Sequence, residues 1–223
     1  ESMEQMEPAD RVRLLEGSWE FTDDIYALCK FDAIEMVFDN WFISGGEKWI
    51  TVDVALHGSD SLVLGVWDGW RLTRTVQCPD LSPTTAEGLI RKVCAEEAIP
   101  TNRVIVDSSG VGAWLPDYLK GAVPFVAGSA AVETRTPKNG IKQQYQNLRS
   151  QCAFILAEKI NNCKVYVADN FQQYYEGRAE FGPATAGKDM LIQDLEQLRR
   201  AENDDFTKLA LLKKSEMKAQ LGR

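Results

Sequence analysis

A chain of 223 residues with 44% hydrophobic and 26% charged content has enough apolar material for one sizeable domain, or a domain plus an appendage. No apolar run approaches bilayer-spanning length, and the acidic start Glu1-Ser-Met-Glu-Gln-Met-Glu7 is the opposite of a secretory leader, so neither a membrane protein nor an exported one is expected. The net charge of −8 weighs against a nucleic-acid partner without excluding a local basic surface, and five scattered cysteines (Cys29, Cys78, Cys94, Cys152, Cys163) with no Cys-x-x-Cys pair suggest neither zinc nor a disulfide framework, which favours a reducing compartment.

Residues 1–40 read as a linker that holds two short helices, the first stopped by Gly17 and the second over Asp32–Asn40. From residue 41 the pattern changes. Strands are predicted near 48–55, 61–67 and 71–77, an antiparallel meander with tips at His57-Gly58 and Asp68-Gly69. A helix is expected over 83–98, with Leu89, Ile90 and Val93 on one face. Arg103–Val106 follows it as a short, apolar, parallel central strand. A short helix over 112–120 and a second buried strand over 123–126 come next. The longest helix is predicted over 140–161, with Leu148, Cys152, Ile155, Leu156 and Ile160 at helical spacing. Val165–Val167 reads as a final strand, Phe171–Phe181 is ambiguous, and Asp189–Ala201 reads as an amphipathic helix. A meander followed by right-handed crossovers gives one mixed α/β sheet of five or more strands, with helices on both faces.

Two acids stand where such a sheet exposes chemistry. The run Ile50-Thr-Val-Asp53-Val-Ala keeps the chain extended through a carboxylate, and Val104-Ile-Val-Asp107 ends in another. If the two strands are parallel neighbours, both carboxylates emerge at their C-terminal ends, the edge that ligand sites favour. A lone Asp at a strand end is more often a turn-former or cap, and Asp107-Ser-Ser-Gly is itself a plausible turn. The two together make a pair of hard oxygen donors for one or two magnesium or manganese ions, the chemistry of phosphodiester hydrolysis. Asp60, beyond the turn, is the candidate outer ligand.

Other motifs fall away. Gly182-Pro-Ala-Thr-Ala-Gly-Lys188 imitates a phosphate loop but lacks the following Ser/Thr and a preceding hydrophobic strand, so it reads as a flexible loop. His57 reads as a solvated turn residue, Asp68-Gly69 as a hairpin turn, and Gly110-Val-Gly112 as a helix start. Two basic groups are the candidates for backbone-phosphate contacts: Lys138, Lys142 and Arg149 near the long helix, and Lys208, Lys213, Lys214, Lys218 and Arg223 at the end.

Taken in order, several short segments resemble the nuclease domain of a tailed-bacteriophage terminase large subunit, which is ribonuclease H-like. They are Leu14–Glu20, Thr51-Val-Asp53, Gly58-Ser-Asp60, Trp67-Asp-Gly69, Val106-Asp107-Ser-Ser-Gly-Val-Gly112, Tyr145-Gln-Asn147-Leu-Arg149, Lys214–Lys218 and Leu221-Gly-Arg223. Each is weak alone; their order and spacing span nearly the whole chain. The resemblance implies that Asp53 and Asp107 bind the catalytic metals and that Asp60 assists. It implies a third acid just beyond Arg223 and an ATPase motor before residue 1, with no complete Walker motif here. It further implies double-stranded DNA as substrate, a terminase small subunit and a portal protein as partners, and the host cytoplasm as location. Rival readings are another nuclease, resolvase or integrase of this fold, and a DNA- or portal-docking module whose acids are structural. A sugar-kinase or actin-like ATPase needs a duplicated domain for which the chain is too short.

Overall fold

The computed structural model describes residues 26–54, 61–79, 82–109, 111–133, 144–175, 178–181, 184–201, 208–213 and 215–217. The meander forms from three strands, β1 (Lys48–Asp53), β2 (Ser61–Asp68) and β3 (Arg71–Pro79), paired antiparallel. The turn at Asp68 does more than reverse the chain. Its carboxylate accepts from the Gly46 amide at 2.7 Å and so fixes the approach to β1.

Helix α1 (Phe31–Met36) precedes the meander, and α2 (Pro83–Glu96) follows it. Ser82 caps α2 by accepting from the Thr85 amide, and Pro83 stands at the first turn, where its missing N–H costs nothing. The crossover through α2 returns the chain to β4 (Val104–Asp107), parallel to β1, and β5 (Val123–Phe125) adds in parallel to β4 after the short helix α3 (Leu115–Tyr118). Helix α4 (Leu148–Asn161) leads to β6 (Tyr166–Val167), then the hairpin β7 (Phe171–Tyr175) and β8 (Arg178–Phe181), and finally α5 (Ala184–Glu196). The sheet runs in the order β5-β4-β1-β2-β3-β7-β8, with β6 also on β3.

Alternation along the strands divides the core in two. Ile50, Val52, Leu62, Leu64, Val66, Val76, Val104 and Val106 point to one face and pack under Leu89, Ile90 and Val93 of α2. Leu72 and Phe171 belong to the opposite face, which is covered by Ala33, Ile34 and Val37, by Ala157 and Ile160 of α4, and by Leu195 of α5. The first residues of the expected linker that are described therefore pack as part of this second core.

Three elements differ from expectation, and one left open by the sequence is settled. β5 is exposed rather than buried, because it is the sheet's edge. Helix α4 starts at Leu148, capped by Asn147, because Tyr145 and Gln146 instead pair with Leu209. Its buried face is Ser150, Gln151, Ala153, Ala157 and Ile160, while Cys152 is exposed: small and hydrogen-bonded residues face inward. Within the supposed loop, residues from Ala184 onward form the first turn of α5. Gly187 is what permits this, since a Cβ there would lie 2.7 Å from the Phe171 ring. Phe171–Phe181, ambiguous in sequence, is the β7–β8 hairpin.

Candidate metal site

The pairing of β1 with β4 ends at Val52↔Val106. Continued by one residue, that register sets Asp53 beside Asp107. Both alternate away from Val52 and Val106, which are buried, and so share the opposite face. Neighbouring strands lie about 4.8 Å apart, which lets two carboxylates converge on one cation with oxygen–metal distances of roughly 2.0–2.6 Å. No described element covers this half of the face. Thr51 and Asp53 are exposed, and so are Val63, Asp53's partner on β2, and Val123 on β5. The α4–α5 layer packs on β3 and β7, against Leu72 and Phe171.

The two acids are held differently. Asp107 is half-buried, and its Oδ1 accepts from the Ser109 amide at 2.9 Å, which confirms the turn and orients the carboxylate without consuming its second oxygen. Ser109 Oγ in turn accepts from the Ala127 amide at 3.1 Å, and the Ser108 amide donates to the Phe125 carbonyl at 2.9 Å. The Asp107 turn is thus laced to the end of β5. Asp53 takes no hydrogen bond or ion pair among the described residues. Next to it, Trp67 Nε1 donates to Thr51 Oγ1 at 3.1 Å, laying the indole along the same face.

Gly112 proves to be more than a helix start. A Cβ there would collide with the Asp107 carbonyl oxygen and sit 3.4 Å from Val54. Replacing Gly112 with alanine is expected to push this turn off β4, at a cost of about 1–3 kcal/mol as an overpacking defect. Thermal melting of G112A measures the loss, and a melting point equal to wild type would contradict the crowding.

Of the phosphate-contact candidates, Arg149 and Lys213 are described. Lys213 is exposed. Arg149 is half-buried, donating from Nη1 to the Leu212 carbonyl at 3.0 Å and from Nη2 to Met217 Sδ at 3.2 Å. His57, Asp60, Lys138, Lys142, Lys214, Lys218, Asp204 and Asp205 lie outside the described residues. Among the described residues no third His, Cys, Asp or Glu joins the two acids in a ligand cluster. The donor set that remains, two neighbouring carboxylates with at least one oxygen each uncommitted, suits a hard divalent ion. Burial pushes the Cys29 thiol up to about 11 and raises those of Cys78 and Cys94. No described helix is long and apolar enough to cross a membrane.

The chain is similar to the nuclease domain of the large terminase subunit gp2 of bacterial virus Sf6, with a TM-score of 0.70 over 88% of this chain and 92% of that one. The fold is the terminase nuclease fold. Identity over that match is 18%. A lysine-to-alanine mutant of the same domain with manganese matches at TM-score 0.68 and 18% identity, and one with calcium at 0.68 and 19%, each covering 88% of this chain and 92% of that chain. Comparison of the sequence with protein-family profiles and with curated proteins gives no match. The ribonuclease H-like sheet expected from the sequence is thus the sheet observed. Sequence reading missed Ser109 and the anchoring bonds of Arg149, because both depend on loops brought together from distant parts of the chain.

Proposed function

We propose that this chain is the metal-dependent endonuclease domain of a phage DNA-packaging terminase, cutting concatemeric double-stranded DNA in the host cytoplasm. The observation that carries the reading is the placement of Asp53 and Asp107 side by side on an open sheet face. The terminase nuclease fold supports it, and so does the manganese solved with a relative of the same fold. Asp53 and Asp107 would hold magnesium or manganese, at one or two sites, with Asp60 assisting. A divalent ion held there supplies charge neutralisation at the phosphate and acidifies water for attack.

The residues divide the remaining work. Asp53, exposed and without a partner among the described residues, is the carboxylate free to meet an incoming ion and phosphate. Asp107, fixed by the Ser109 amide, sets the geometry that Asp53 completes. Thr51 and Trp67 form a floor beside the acids against which a sugar-phosphate chain can lie. In the proposed complex Lys138, Lys142, Lys213, Lys214 and Lys218 contact the DNA backbone with little base readout, and the terminase small subunit and portal protein are partners of the assembled motor.

The test is plasmid cleavage by this chain with magnesium, with manganese and with EDTA. Nicking in either metal and none in EDTA is the expected result. No cleavage under any condition by a folded chain that still binds duplex DNA would replace this reading with a docking module.

A further inference from the structure

We propose that Arg149 is a positioning residue that anchors the chain's C-terminal segment against the loop orienting Asp107, rather than a contact to DNA phosphate. The activity part of this inference rests on the nuclease reading above; the anchoring part stands on the bonds themselves.

The segment 208–213 threads between two other stretches of backbone. The Leu209 amide donates to the Gln144 carbonyl at 2.8 Å, and the Gln146 amide returns to the Leu209 carbonyl at 2.9 Å. On the other side, the Ala201 amide donates to the Ala210 carbonyl and the Leu212 amide to the Arg199 carbonyl, each at 2.9 Å. Ala210 and Leu211 are buried, and the Leu211 amide donates to Ser150 Oγ at 3.1 Å inside α4's first turn. These bonds end at Leu212. Among the described residues, the Arg149 fork reaches farther along the chain: it grips the Leu212 carbonyl and Met217, in the helical turn at 215–217.

Arg149 also faces the acid pair through its backbone. Its amide donates to the Ala127 carbonyl at 3.0 Å. Ala127 donates to Ser109 Oγ, and the Ser109 amide holds the Asp107 carboxylate. One residue therefore bonds the β5 exit with its main chain and the C-terminal segment with its side chain. Burial lowers the Arg149 pKa, and no carboxylate lies within ion-pair distance of it among the described residues. A half-buried cation needs acceptors to offset its lost hydration, and the Leu212 carbonyl and Met217 Sδ supply two. A planar guanidinium can serve two acceptors in fixed directions at once; a lysine ammonium on a flexible stem cannot hold that fork. The two interpretations therefore diverge on Arg149→Lys, which keeps the charge and loses the fork.

The experiment compares the 223-residue chain with Arg149→Ala and Arg149→Lys by three readouts: hydrogen exchange over 209–212, manganese-dependent plasmid cleavage, and salt-dependent binding of a duplex oligonucleotide. Loss of exchange protection by about tenfold or more in both variants is the expected structural result. In cleavage, both should lose about tenfold in kcat with KM for DNA held within about twofold. The salt slope of DNA binding should not change. A slope reduced by about 0.9 in Arg149→Ala and restored in Arg149→Lys would overturn the proposal in favour of a phosphate contact. Lost protection with unchanged kcat would overturn the positioning role. If Arg149→Ala does not fold, Arg149→Lys decides by the same criteria. If wild type neither cuts DNA nor binds manganese, the nuclease reading fails, and unchanged exchange in Arg149→Lys is then the result that rejects the anchor.

Discussion

Asp53→Asn and Asp107→Asn are each expected to abolish metal-dependent plasmid cleavage without unfolding the chain. The substitution keeps shape and removes one negative charge from a two-carboxylate site. Charge stabilisation supplied through a bound ion amounts to several kcal/mol in the transition state. At 1.36 kcal/mol per factor of ten, losing it lowers the rate by about three orders of magnitude or more. Stability should barely change. Asp53 is exposed with no described partner, and surface substitutions of that kind stay within about 0.5 kcal/mol. Asp107→Asn retains an oxygen that can accept from the Ser109 amide. Two groups serving one ion act as a unit, so the double variant should be no slower than either single one. Cleavage rates with manganese, beside thermal melts of all three variants, check this. A rate within about threefold of wild type in either single variant would remove that acid from the site.

The second large effect concerns the strand that carries Asp53. Ile50 is 0% exposed and is paired with Val66 on one side and Val104 on the other. Ile50→Ala leaves a cavity between three strands and α2, with an expected loss of about 2–5 kcal/mol, against about 0.5–1.5 kcal/mol for Ile50→Val. Urea denaturation with an unchanged m-value measures it. Because Ile50 sets the register that brings Asp53 to Asp107, Ile50→Val should retain cleavage while Ile50→Ala loses some even at temperatures where it is folded. An Ile50→Ala cost below about 1 kcal/mol would contradict the placement of β1 at the centre of the sheet.

The parts of this fold that were legible in the sequence are those set by local pattern. Ile50-Thr-Val, Leu62-Val-Leu and Val104-Ile-Val alternate or run apolar as buried strands must, and the strands appear within two residues of their expected bounds. The Ser82-Pro83 start of the crossover helix is a local signal too, and a helical crossover from β3, which runs in the same direction as β1, makes β4 parallel to β1. The candidate acids were legible for the same reason: each ends a strand whose topology could be reasoned out.

What was not legible depends on partners far along the chain. Tyr145 and Gln146 have helix-compatible neighbours, yet Leu209 takes them into a strand-like pairing. Ala184–Lys188 looks like a loop by composition, and only the Phe171 ring against Gly187 makes the helix fit. Arg149 looked like a surface cation because sequence gives its charge and not the Leu212 carbonyl that takes its hydrogen bond. β5 looked buried because an edge strand and a core strand of three residues share the same composition.

The central claim is that Asp53 and Asp107 together hold a divalent cation. Manganese titration of wild type, Asp53→Asn and Asp107→Asn, followed by the loss of the free ion's electron paramagnetic resonance signal, tests it directly. Saturable binding by wild type that is lost in both variants, with all three melting alike, is the result this account predicts. Equal binding by all three, or none by wild type at millimolar manganese, would contradict it.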